Sequence, residues 1–140
     1  MARLSLCLPP FSPDYSGVSS VFFDLPAVVA IHDASGCTGN YTGYDEPRWY
    51  GAGAAIFCSA LRDIDAVMGD DEKLIGRMIA ACRDLDPKLT ALVGSPVPMV
   101  VGSDMKGIAT ELEARTGLPG FGFDTTGTAY YDRGVSAAQY

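Results

Sequence analysis

Histidine is nearly missing from this 140-residue chain: there is one, His32, and one tryptophan. With a single histidine and no GxSxG turn, a Ser–His–acid hydrolase ranks low. No GxxxxGK[ST] loop is present. Gly120-Phe121-Gly122 falls inside a short strand pattern and not between a strand and a helix, so it is not a GxGxxG turn. Neither ATP nor nicotinamide binding by this chain is supported. Basic residues are scarce, with 10 Lys+Arg against 17 Asp+Glu and a formal net charge of −7. There is no basic patch, which argues against nucleic acid and against an anionic membrane surface as partner. The apolar runs are strand-length, far short of the ~20 residues that span a bilayer. The N-terminus has one arginine, Arg3, and a weak apolar stretch before Pro9-Pro10, less than a signal peptide carries. A cytoplasmic protein without membrane segments is the expectation. The four cysteines, Cys7, Cys37, Cys58 and Cys82, form no CxxC or zinc pattern. A chain with 48% hydrophobic residues has little need of disulfides, so reduced thiols are expected.

That apolar content is enough for one domain with a core. Residues 1–26 read as a lead-in with a helix over 15–25, which Asp14 could cap and Pro26 ends. Residues 27–140 read as one α/β unit. Its strands are predicted at 27–32, 54–58, 89–93 and 121–123. A turn or short helix follows Ser59. Helices are predicted at 70–84, with Leu74, Ile75, Met78, Ile79 and Cys82 on the apolar face, and at 105–116, capped by Ser103-Asp104 and closed by Gly117. A last helix starts after Thr128. Two strand–helix–strand repeats with short connections argue a three-layer arrangement around a parallel sheet. The polar segments 33–47, 94–103 and 124–127 read as loops. Following successive parallel strands, they share one edge, where ligands bind.

Cys37 is the leading candidate for chemistry. The run Val28–Ile31 carries the chain inward and stops at Ser35-Gly36-Cys37-Thr38-Gly39. A thiolate is a soft donor suited to iron or an iron–sulfur cluster, and the flanking glycines Gly36 and Gly39 let backbone approach a bulky inorganic group. The competing reading is a buried thiol in a tight turn. His32 could serve as base, ligand or outer-shell donor, with Asp33 fixing its tautomer, or be a histidine satisfied by backbone. Ser95 and Asp104 flank a Pro-rich segment whose amides could hold an anion or cofactor oxygen, or simply cap a helix. Asp45-Glu46-Pro47-Arg48-Trp49-Tyr50 is either a gating or interface loop or a loop docked on its own domain.

The strand running into His32 and Gly36-Cys37, then Gly69-Asp70-Asp71-Glu72-Lys73-Leu74, Ser95-Pro96-Val97-Pro98-Met99-Val100-Val101-Gly102-Ser103-Asp104, and Thr116-Gly117-Leu118-Pro119 with Gly122-Phe123-Asp124 carry a resemblance. In this order, over nearly the whole chain, they resemble the N-terminal domain of nitrogenase component 1-type subunits, a family that includes the molybdenum–iron protein and dark-operative protochlorophyllide reductase subunits. The resemblance is closest to the uncharacterised branch.

It implies a Rossmann-like cluster-binding domain at 27–140, the first domain of a normally three-domain subunit. It also implies redox chemistry on a cluster shared by two subunits, identical or not, and electrons from a homodimeric, ATP-dependent iron–sulfur reductase. Cys37 matches the family's central cluster ligand. The early cysteine is replaced by Pro13, with Cys7 nearby, and the third by Ser95 and Pro96. A [4Fe–4S] cluster takes four thiolates. The expectation is therefore a cluster bridged between subunits, held by Cys37 and by Cys58 or Cys7, with Gly36, His32 and Ser95 around it. The ending Ala137-Ala138-Gln139-Tyr140 has no stop feature, so a truncated unit that is not catalytically complete alone is expected. A cluster-assembly scaffold and a non-catalytic subunit-interaction domain are the alternatives.

Overall fold

The computed structural model describes residues 12–43, 51–69 and 71–139. Four strands run parallel: β1 (Ala27–Ile31), β2 (Ala55–Cys58), β3 (Leu89–Val93) and β4 (Gly120–Phe123). Their order across the sheet is β2-β1-β3-β4. β1 and β3 are central, and their registers bring Ile31 beside both Cys58 and Val93. β1 is buried along its whole length, as an unbroken Val/Ala/Ile run in a covered parallel sheet should be.

Helices cover both faces. On one lie α1 (Asp14–Phe22), the short α2 (Gly36–Thr42) and α7 (Tyr131–Gln139). Tyr15, Val18 and Phe22 pack there against Val29, Ile31, Ala91 and Val93. On the other lie α4 (Asp71–Leu85) and α6 (Met105–Thr116), whose Leu74, Met78, Ile108 and Leu112 bury Val28, Ala30 and Leu92. The expected three-layer α/β arrangement with a parallel sheet is therefore present. Two one-turn helices, α3 (Asp63–Met68) and α5 (Pro96–Val101), sit at the carboxyl edge and touch each other. Both end on a left-handed glycine, Gly69 and Gly102.

Several local expectations change. The segment 33–47 is not one loop: α2 occupies its middle, and residues 44–50 lie outside the described residues, as does Cys7. The Pro-rich segment after β3 is helical, because Pro96 occupies the first turn, where its missing N–H costs nothing. Helix α1 ends at Phe22, before Pro26, and its N-cap is Pro13. Asp14 instead lies within the first turn, and its carboxylate accepts from Tyr15 N, Gly127 N and Thr126 N at 2.8–3.0 Å. The segment after Ser59 becomes helical only at Asp63.

Candidate functional site

The strand order makes β1 and β3 the pair at which the connections diverge to opposite sides, and the crevice beyond such a pair is where open α/β sheets bind ligands. The segments leaving these two strands carry Cys37 and Ser95. Beyond the strand ends the pairing continues: His32 N donates to Val93 O at 2.8 Å, Ser59 N to Ile31 O at 3.0 Å and Gly94 N to Phe123 O at 2.9 Å. The site therefore rests on a zipped sheet edge, not on free loops.

Asp33 organises the turn. Its Oδ2 accepts from Ser35 N at 2.9 Å and Thr38 N at 3.1 Å. This holds Ser35 at φ 141°, a conformation L-residues rarely adopt, and starts α2 at Gly36. Cys37 then lies in the first turn, half-buried and packed against the cluster that contains Tyr15 and Val93, with the Tyr15 phenol, the Ser95 hydroxyl and the Asp33 carboxylate as its polar neighbours. Ser95 Oγ donates to His32 O at 2.8 Å, and Asn40 Nδ2 donates to Tyr15 Oη at 3.0 Å. Cys37, Ser95 and the opening turn of α1 lie far apart in sequence, and the fold brings them together.

Burial raises the Cys37 pKa, and the Asp33 charge raises it further against the lowering by Tyr15 and Ser95. Burial likewise pushes Tyr15 up to about 12. The thiol is thus protonated at neutral pH, with no cation beside it among the described residues. That is the wrong environment for a free nucleophilic cysteine, which needs an electropositive setting. A metal would displace the proton itself, since a coordinating thiol is deprotonated outright.

His32 is buried, and its Nδ1 hydrogen-bonds Ser59 Oγ at 2.9 Å. Ser59, not Asp33, is therefore the hydrogen-bond partner of its Nδ1. Burial lowers the His32 pKa despite the nearby Asp71 and Asp33 charges. Cys58 Sγ donates to Asp33 O at 3.4 Å and accepts from Ala60 N at 3.3 Å. Cys82 is buried against the opposite sheet face, a core residue. Asp104 Oδ1 accepts from Gly107 N at 2.9 Å, which is helix capping. Tyr15 and Asp33 were not singled out from the sequence as neighbours of the thiol, nor Ser59 as the partner of His32 or Asn40 as that of Tyr15. The available signal was the run of polar and glycine residues, Asp14, Ser16, Gly17 and Ser19, inside a helix otherwise patterned for a core.

Among the described residues, Gly36 and Gly39 have nothing within 4 Å of the position a Cβ would take, so the described glycine face beside Cys37 is open. Space and a soft donor fit one corner of a metal–sulfur group. They do not fit a whole one: among the described residues no three His, Cys, Asp or Glu side chains are arranged to hold a metal ion.

No protein-family model matches the sequence, and no curated protein does. Solved structures match. Nitrogenase Cp1 at pH 5 aligns with TM-score 0.68 and 17% identity, over 91% of this chain and 29% of its own. Nitrogenase Cp1 at pH 6.5 aligns with TM-score 0.65 and 18% identity, over 92% of this chain and 26% of its own. This chain thus spans less than a third of the solved chains it matches, and what it shares with them is a nitrogenase component 1-like fold.

Proposed function

We propose that this chain is the cluster-bearing domain of a nitrogenase-like oxidoreductase subunit, residues 27–140 forming the Rossmann-like unit behind the lead-in of residues 1–26. The observation that carries the reading is the convergence of Cys37, Ser95 and Tyr15 at the edge of β1 and β3, on a fold like that of nitrogenase Cp1. In this reading Cys37 supplies the principal thiolate to an iron–sulfur cluster shared between two subunits, with Cys58 or Cys7 as further donors. Such a group stores and passes single electrons. The chain's own residues do the rest. Asp33 sets the turn that aims the thiol. Tyr15 offers its O–H to the sulfur, while Ser95, whose O–H is donated to His32 O, ties the segment after β3 to the end of β1 beside it. The apolar packing behind Val93 and Ile31 keeps water from that side.

The surface beside the site supports a partner subunit. Ile64, Val67 and Met68 of α3 and Val97, Val100 and Val101 of α5 are all exposed, Val67 by 82% and Val100 by 86%. Two touching helices that present apolar side chains to water at the sheet edge mark an interaction surface. The same feature favours a second reading, a subunit-interaction domain without a cluster. In the first reading an ATP-dependent iron–sulfur reductase delivers the electrons, in a cytoplasmic setting. Among the described residues no helix is long and apolar enough to cross a membrane.

The test is anaerobic reconstitution with iron and sulfide, followed by metal analysis and visible and paramagnetic resonance spectra. Wild type should take up iron and sulfide with a thiolate-to-iron band, and Cys37→Ala should lose it. Cys58→Ala should lose part of it if Cys58 is a donor. Absence of iron from reconstituted wild type, or full loading of Cys37→Ala, overturns the cluster reading. A dimer that persists in Cys37→Ala but not in Val100→Asp, with no iron in wild type, establishes the second reading instead.

A further inference from the structure

A large cavity among the described residues lies away from Cys37, beyond β4. It measures about 870 Å³, within the range of small-molecule sites. One wall is the start of α6 with Lys106, the opposite wall is α7 with Arg133 and Ala137, and the floor is Gly122–Phe123 with the loop carrying Asp124 and Thr128. Gly122 shapes it: a Cβ there would overlap Met105 O, so only glycine lets the first turn of α6 close onto β4. That places the first turn of α6, already capped by the Asp104 carboxylate, beside the cavity, with Lys106 on it.

Four charged groups line the space: Asp14, Lys106, Asp124 and Arg133. The Asp14 carboxylate is buried and already consumed by Tyr15 N, Thr126 N, Thr126 Oγ1 and Gly127 N. Asp124 meets Lys106 at 3.4 Å, with both side chains largely in solvent, which makes a weak pair that another anion can displace. The Arg133 guanidinium has no ion-pair partner among the described residues. Lys106 and Arg133 therefore share the space with Asp124, whose only ion pair among the described residues is the exposed one to Lys106, in a protein whose net charge is −7. Phe123, Ala129 and Ala137 add apolar wall.

We infer that this cavity binds an organic molecule carrying one anionic group, a carboxylate or a phosphate, with Arg133 and Lys106 holding the anion and Phe123 and the two alanines covering its apolar body. The site stands apart from Cys37, so its test uses iron-free protein and does not depend on the cluster reading. Titration calorimetry with phenyl phosphate, phenylacetate, inorganic phosphate and benzyl alcohol reads it directly. Saturable binding of one or both aromatic anions is expected, tighter than that of inorganic phosphate or benzyl alcohol. The better of the two aromatic anions shows whether phosphate or carboxylate is the native group. Arg133→Ala should weaken binding about tenfold, as loss of a charge-assisted hydrogen bond does, and Lys106→Ala by less. Asp124→Asn should tighten it, and Cys37→Ala should leave it unchanged. No binding of either aromatic anion, benzyl alcohol binding as well as they do, or an equal loss in the distant control Arg83→Ala would each overturn the site. Both cations are exposed, and coincident melting curves will show that the variants are folded.

Discussion

The two faces of the sheet are built differently. The α4/α6 face is an ordinary amphipathic contact: Leu74, Met78, Ile108 and Leu112 meet Val28, Ala30 and Leu92, with charged residues turned to water. The α1/α7 face mixes a core with polar groups and near-contact of backbones. Asp14, Ser16 and Ser19 are buried in α1, and Ser16 Oγ is the one buried side-chain polar atom without a partner among the described residues. Gly17 lies against the backbone of Tyr131, and Gly134 against that of Asp14. The first face is a stabilising layer. The second carries Tyr15 to Cys37 and Asp14 to the loop after β4, so it positions chemistry as well as burying the sheet.

Breaking each face should separate stability from site geometry. The largest stability loss is expected from Leu112→Ala, about 2–5 kcal/mol for a buried leucine, read by denaturant unfolding. Below the transition, reaction of Cys37 with a thiol reagent should be unchanged. Gly134→Ala should cost less, about 1–3 kcal/mol for an overpacked contact. Because it pushes on the turn of α1 that carries Asp14 and Tyr15, it should also change the Cys37 reaction rate. An unchanged rate would separate the helix crossing from the site.

A smaller effect is pH-dependent. Burial depresses the His32 pKa, so the unfolded chain binds that proton more readily than the folded one. Stability is full above the ordinary histidine range, about pH 6.5, and falls as pH drops through it. His32→Gln should flatten this slope in melts taken across that range. The smallest effect belongs to the exposed join between the α4 and α6 helices, where Arg115 meets Glu72 at 2.6 Å and Glu111 at 2.6 Å. Glu72→Gln should lower the melting temperature slightly at low salt and not at high salt, because exposed pairs are screened.

The same division governs what could be read without the fold. On the α4/α6 side, the apolar spacing of Leu74, Ile75, Met78 and Cys82 located the helix, and Asp104 and Gly117 marked the ends of the other, because periodicity and capping are local properties. β1 and β3 were legible for a similar reason: a run of β-branched and small apolar residues has no other stable use in a parallel sheet. The α1/α7 side was less so. Asp14 was read as a helix cap, but its carboxylate serves a loop more than a hundred residues away. Segments rich in Gly, Pro and Ser were read as loops, but Asp33 and Pro96 start helices there, through contacts or positions that composition does not encode.

The sequence alone determined the fold class, the strand-to-Cys37 transition and the presence of glycines beside it. Those follow from the order of residue types along a few turns of chain. The tertiary structure decided that Ser95, Tyr15 and Asp33 surround that thiol, that Cys58 is tied to Asp33 O, and that Arg133 and Lys106 face one cavity. Each of these joins residues from separate elements, and only the pairing order of the four parallel strands brings their carboxyl ends to a common edge.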